Sequence, residues 1–125
     1  MTAYGGEVLQ RVAQVSEFSS SKRLVRTVDS VELLLLLRGA NEVIALHNFC
    51  THLGESLERG RIMGGQITCP FHGACFDLRS GTALSGPAVA SLHVFPACLR
   101  GDEVFVDLSR RPAATGYHRR LPSPT

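Results

Sequence analysis

The sequence predicts a mostly-β domain. Short runs rich in Val, Leu, Ile and Phe alternate with Gly, Ser and Asn turns, and nowhere does a long helical pattern develop. The last run is the clearest. Val104, Val106 and Leu108 alternate with Phe105 and Asp107, the period of two expected of a sheet with one buried face.

Taken in order, the first segment is ambiguous, because Val8, Leu9, Val12 and Val15 fit helical spacing at least as well as strand spacing. Val31 to Leu37 and Val43 to His47 read as two strands joined through Gly39-Ala40-Asn41-Glu42, a hairpin candidate. Gln66 to Cys69 and Ala74 to Leu78 are short strands on either side of Pro70 to Gly73, and Arg79-Ser80-Gly81 is a turn into Ala83 and Leu84. Leu92 to Phe95 and Val104 to Leu108 are expected to form the last pair, joined near Gly101-Asp102. From Arg110 the pattern fades into prolines and arginines that should not extend a sheet. Residues 110–125 are therefore expected to be a solvated tail, with a basic docking arm for an acidic partner as the alternative.

Composition sets limits on function. At 125 residues, with 44% hydrophobic and 19% charged, the chain suits a single globular domain with a real core. A net charge of +2 with scattered Lys and Arg gives no nucleic-acid surface. No run approaches the roughly 20 apolar residues needed to cross a bilayer. Leu33 to Leu37 is the most apolar run, and Glu32 and Arg38 close it. Gly5, Gly6 and Glu7 stand where a secretion signal would begin its apolar segment. The expectation is a soluble, cytoplasmic protein without a membrane partner. In such a compartment the four cysteines are metal ligands or buried thiols before they are disulfides.

Two of those cysteines stand apart. Cys50-Thr51-His52-Leu53-Gly54 and Cys69-Pro70-Phe71-His72-Gly73 each offer a thiolate and an imidazole on a short segment after a strand. Two mixed pairs can hold one tetrahedral metal or the two irons of a binuclear cluster. Structural zinc sites usually pair like ligands, as C-x2–4-C and H-x3–5-H. Placing two histidines in place of two cysteines on one iron is the Rieske arrangement. Cys75 and Cys98 fall in strand-like segments as buried free thiols, a disulfide between them being the less favoured alternative. His47 and His93 read as structural strand residues, and Glu55, Glu58, Arg59 and Arg61 as a solvated face beside the first pair.

At this point the sequence resembles a known family. Cys50-Thr51-His52 and Cys69-Pro70-Phe71-His72-Gly73 match the C-x-H and C-x-x-H motifs of Rieske proteins, with Phe76-Asp77, Ser80-Gly81 and Gly86-Pro87 in family-like order. The likeness runs from about Val8 to Leu108 and is strongest to the Rieske ferredoxins of bacterial aromatic-ring-hydroxylating dioxygenases. The resemblance implies an antiparallel β-sandwich over residues 1–109, with a small cluster-binding subdomain at about 48–89 formed by two loops, and a strand at the ambiguous N-terminal segment. It implies a [2Fe–2S] cluster, with Cys50 and Cys69 on the inner iron and His52 and His72 on the outer one. Gly86-Pro87-Ala88 would cover it. Respiratory members join their two loops by a disulfide and direct a Ser and a Tyr towards the cluster. Here Glu55 and Phe71 stand at the disulfide positions, and Ala74 and Phe76 at the hydroxyl positions.

The chain offers no nucleotide fingerprint, no second metal site and no nucleophile with its base. The expectation is an electron carrier rather than an enzyme: a monomer taking one electron from a flavoprotein reductase and passing it to a terminal oxygenase. A cluster-bearing subunit of a multisubunit oxidoreductase and a zinc-stabilised binding module are the alternatives.

Overall fold

The computed structural model describes residues 8–51, 54–71, 73–85 and 90–109. Its strands are β1 (Leu9–Gln14), β2 (Arg23–Val28), β3 (Val31–Arg38), β4 (Glu42–His47), β5 (Arg61–Met63), β6 (Gln66–Thr68), β7 (Cys75–Asp77), β8 (Ala83–Ser85), β9 (Val94–Phe95), β10 (Ala97–Arg100) and β11 (Glu103–Asp107). Among the described residues the sole helix is a 3₁₀ turn, Val15–Glu17, and none is long and apolar enough to cross a membrane. The described residues divide into two compact units, 8–47 with 95–109, and 48–94.

The first unit contains two antiparallel sheets, β1-β11-β10 and β2-β3-β4-β9. Val12 and Ala13 of β1, Val31, Leu33 and Leu35 of β3, Val43 and Ala45 of β4, Phe95, and Val104 and Val106 of β11 meet in one core. The other face of β3 and β4 is buried as well: Leu34 pairs with Leu46 and Leu36 with Ile44. A strand buried on both faces has no reason to alternate, which explains the uninterrupted leucine run. Removing each such side chain from water contributes about 1.5–3 kcal/mol.

The ambiguous N-terminal segment is a strand, and its ambiguity has a cause. The register with β11 shifts between Arg11 and Ala13, so a bulge brings Val12 and Ala13 consecutively into the core. Two adjacent buried residues break the period of two and mimic helical spacing. The last pair also differs from expectation. β11 pairs with β10, not with Val94–Phe95, which lies beside β4. Pro96 separates β9 from β10, and its carbonyl accepts from Asp107 N at 2.9 Å.

The second unit carries the antiparallel sheet β5-β6-β7-β8. Ile67 and Phe76 pair across β6 and β7 and are both fully buried, as is Leu57. After β7 the Asp77 carboxylate accepts from Arg79 N (3.0 Å), Ser80 N (2.8 Å) and Ser80 Oγ (3.0 Å). These donors, the Ser80 amide foremost, hold the carboxyl of half-buried Asp77 below its ordinary pKa. The turn ends at Gly81, whose φ is +79° and whose missing β-carbon would collide with the Leu92 carbonyl. Leu92 N donates to Gly81 O at 2.7 Å, so the return of the chain is fastened to this turn.

Candidate metal centre

Cys50 and Cys69 open two loops of matching construction. Cys69 N donates to Ala74 O (2.7 Å), and Gly73 N donates back to Cys69 O (3.1 Å). In the first loop Cys50 N donates to Glu55 O (2.7 Å), and Gly54 N donates to Cys50 O (2.7 Å). Each cysteine thus bonds to the residues four and five places ahead. Gly54 and Gly73, the four-ahead residues, adopt φ of +78° and +80°, the left-handed region that glycine enters without a β-carbon penalty.

The two loops are supported differently. The second grows out of the ladder between β6 and β7, where Thr68 faces Cys75. The first has no such ladder. Its place is taken by the fully buried side chain of Asn48, whose Oδ1 accepts from Leu57 N (2.9 Å) and whose Nδ2 donates to Ser56 Oγ (3.0 Å). Between the first cysteine and histidine, Thr51 donates its hydroxyl to Ala90 O at 2.6 Å. Neither Asn48 nor Thr51 was singled out by its sequence pattern.

Cys50 and Cys69 are buried, and none of the four cysteines forms a disulfide. Two enclosed, unbridged thiols on glycine-closed loops suit a soft metal, which thiolate donors favour. His52 and His72 lie outside the described residues, as do Leu53, Gly86, Pro87 and Ala88. Ala74 and Phe76 are fully buried, and Phe71 is exposed. Glu58, Arg59 and Arg61 are exposed as expected, whereas Glu55 is half-buried with its Oε1 enclosed. Cys75 is buried with Sγ 3.1 Å from Gln66 Oε1, while Cys98 is only half-buried. His47 is a buried strand residue, and His93 stands just before β9 rather than within it.

Comparison with known proteins agrees with this architecture. The Rieske [2Fe-2S] domain family matches residues 8–96. The ferredoxin component of the naphthalene 1,2-dioxygenase system of Pseudomonas aeruginosa is 35% identical over 83 residues, covering 66% of this chain and 79% of that protein. Human apoptosis-inducing factor 3 is 35% identical over 78 residues, 62% of this chain but only 13% of that longer protein. Among solved structures, the ferredoxin of carbazole 1,9a-dioxygenase from Nocardioides aromaticivorans IC177 superposes with a TM-score of 0.71 at 26% identity, covering 80% of this chain and 97% of that one.

These likenesses define an iron–sulfur protein with an antiparallel β-sandwich. The chain belongs to the Rieske [2Fe-2S] domain family, and its cofactor is a [2Fe–2S] cluster. It is an electron-transfer protein of the ferredoxin kind and not a catalytic subunit.

Proposed function

We propose that Cys50, His52, Cys69 and His72 hold the cluster and that the chain carries electrons singly from a flavoprotein reductase to a terminal oxygenase. The observation that carries the ligand assignment is the matched closure of the two loops around Cys50 and Cys69, each cysteine followed within three residues by a histidine. When bound, the cluster supplies a one-electron site with two anionic and two neutral ligands. Cys50 and Cys69 provide buried thiolates, His52 and His72 neutral imidazoles, and the buried Ala74 and Phe76 exclude water beside the second loop.

The oxygenase partner is supported by the dioxygenase systems to which the similar ferredoxins belong. A cytoplasmic, monomeric carrier is part of this proposal; none of the four cysteines forms a disulfide, and no helix among the described residues is long and apolar enough to cross a membrane. The division into a Rieske domain over 1–109, with the cluster subdomain at about 48–89, and a Pro/Arg-rich tail over 110–125 belongs to the same reading. The compact unit that begins at Asn48 supports the first boundary of the subdomain, and residues 110–125 lie outside the described residues.

Reconstitution tests the proposal. Purified protein should contain two irons and two sulfides per chain and restore product formation when added to a matching reductase and terminal oxygenase. Stoichiometric zinc without sulfide would overturn the ligand assignment. A loaded protein that exchanges electrons only inside a larger complex would favour the subunit reading.

A further inference from the structure

We propose that Asn48 is a positioning residue for the cluster, its side-chain amide holding the first ligand loop closed where the second loop has a strand ladder. The inference rests on Cys50 being a ligand. Both loops close with the same pair of backbone hydrogen bonds, so the closure itself does not distinguish them. What stands behind them does. Behind Cys69 and Ala74 come the successive pairs Thr68 with Cys75, Ile67 with Phe76 and Gln66 with Asp77. Behind Cys50 and Glu55 the outgoing chain is irregular as far as Gly60. There the Leu57 amide points to a side chain rather than to a backbone carbonyl.

The chemistry requires an amide at this position. Leu57 N can only donate, so the atom facing it must be the carboxamide oxygen, which leaves the nitrogen to Ser56 Oγ. Ser56 Oγ in turn accepts from Glu58 N at 3.1 Å, so Asn48 holds Ser56 and Leu57 directly and Glu58 through Ser56. Asn48 and Leu57 are both fully buried, so truncating Asn48 strips a buried amide of its protein acceptor, which is costly. Serine is too short to span both partners. Aspartate keeps the oxygen for Leu57 and can accept from the Ser56 hydroxyl.

The test compares loaded wild type, Asn48→Ala, Asn48→Asp and Ser56→Ala for cluster release to a ferrous chelator, reduction potential, electron paramagnetic resonance and hydrogen exchange by mass spectrometry. Asn48→Ala should release its iron about tenfold faster, equivalent to about 1.4 kcal/mol. It should also shift the potential and the g-values, and raise exchange in residues 49–60 but not in 66–77. Asn48→Asp should release within about threefold of wild type and recover protection of 49–60. Release at the wild-type rate, or equally raised exchange in both segments with unchanged potential, overturns the proposal. So does an Asn48→Asp variant as impaired as the alanine. Should Asn48→Ala fail to load, Ser56→Ala decides. A two- to threefold faster release with exchange confined to 49–60 supports the proposal, and wild-type behaviour overturns it. Cys50→Ser separates the underlying reading: if that variant keeps its full iron content, the ligand assignment itself falls, whatever Asn48 does to the loop.

Discussion

The two cysteine–histidine pairs could be read from the sequence because each is written within three or four consecutive residues. The residues that brace them could not. Asn48 acts on Leu57, nine positions away, and Thr51 on Ala90, thirty-nine away, and neither partner is implied by local pattern. The same distinction separates the four thiols. Cys50→Ser or Cys69→Ser should remove the cluster, measured as iron and sulfide per chain, because metal binding and loop closure are coupled. Cys75→Ser and Cys98→Ser should each leave the content near two irons, since Cys75 is engaged with Gln66 and Cys98 lies on β10. Iron loss in Cys75→Ser would reassign the ligands. Gly81→Ala adds a β-carbon against the Leu92 carbonyl at a positive φ, two penalties at one site. The left-handed conformation alone costs about 1–2 kcal/mol. Its thermal midpoint should fall well below that of Gly101→Ala, where a β-carbon meets nothing within 4 Å.

At the scale of elements, the strands that were legible have either an alternating face, as β11, or an unbroken apolar run, as β3. β2 was missed because its residues are nearly all half-buried and carry Arg23 and Arg26 among the apolar ones. β5 was missed because three residues, Arg61–Met63, hold too little pattern to read. β10 was missed because Pro96 marks a break without saying which strand lies next to which. The leucines of β3 supply a stability test: Leu35→Ala removes a fully buried side chain from the shared core. It should lower unfolding free energy by about 2–5 kcal/mol in a denaturant titration.

The 3₁₀ turn after β1 supplies a pH test. Glu17 accepts from Arg26 Nη2 at 2.7 Å and from Gln14 N at 2.8 Å, and these bonds hold its carboxyl below the ordinary value. A depressed folded-state pKa contributes stability that is fully present above the unfolded value, near 4.3, and is lost as pH falls through the folded value. The difference in midpoint between wild type and Glu17→Gln should therefore be constant from pH 7 to 5 and shrink below that. A difference that grows on acidification would contradict the assignment. Because Glu17 is exposed, salt should also reduce it.

For the whole molecule the informative quantity is the reduction potential. Hydrogen bonds to cluster sulfurs stabilise the extra negative charge of the reduced state and raise the potential. Ala74 and Phe76, both buried beside the second loop, have no polar hydrogen to give. The potential should fall near the low end of the Rieske range, at about −150 mV rather than +300 mV. Protein-film voltammetry should find it nearly flat between pH 6 and 9. A value well above zero would mean that other donors supply what these side chains lack. Ala74→Ser should raise it where the new hydroxyl reaches a sulfur.

The pairing of β1 with β11 has a mechanical consequence. Leu9 lies opposite Asp107 and Gln14 opposite Glu103, so the first residue of β1 and the last of β11 lie side by side at one end of the pair. A force applied through residues 8 and 109 would open this pair like a zipper, one backbone bond at a time, the weak direction of a sheet. Residues 48–94 sit in the middle of the chain, leaving from β4 and returning at β9, its neighbour in the sheet. Tension reaches them only after β4 and β9 have parted. Pulled from its outer strands, the protein should therefore lose β1 first while keeping its colour.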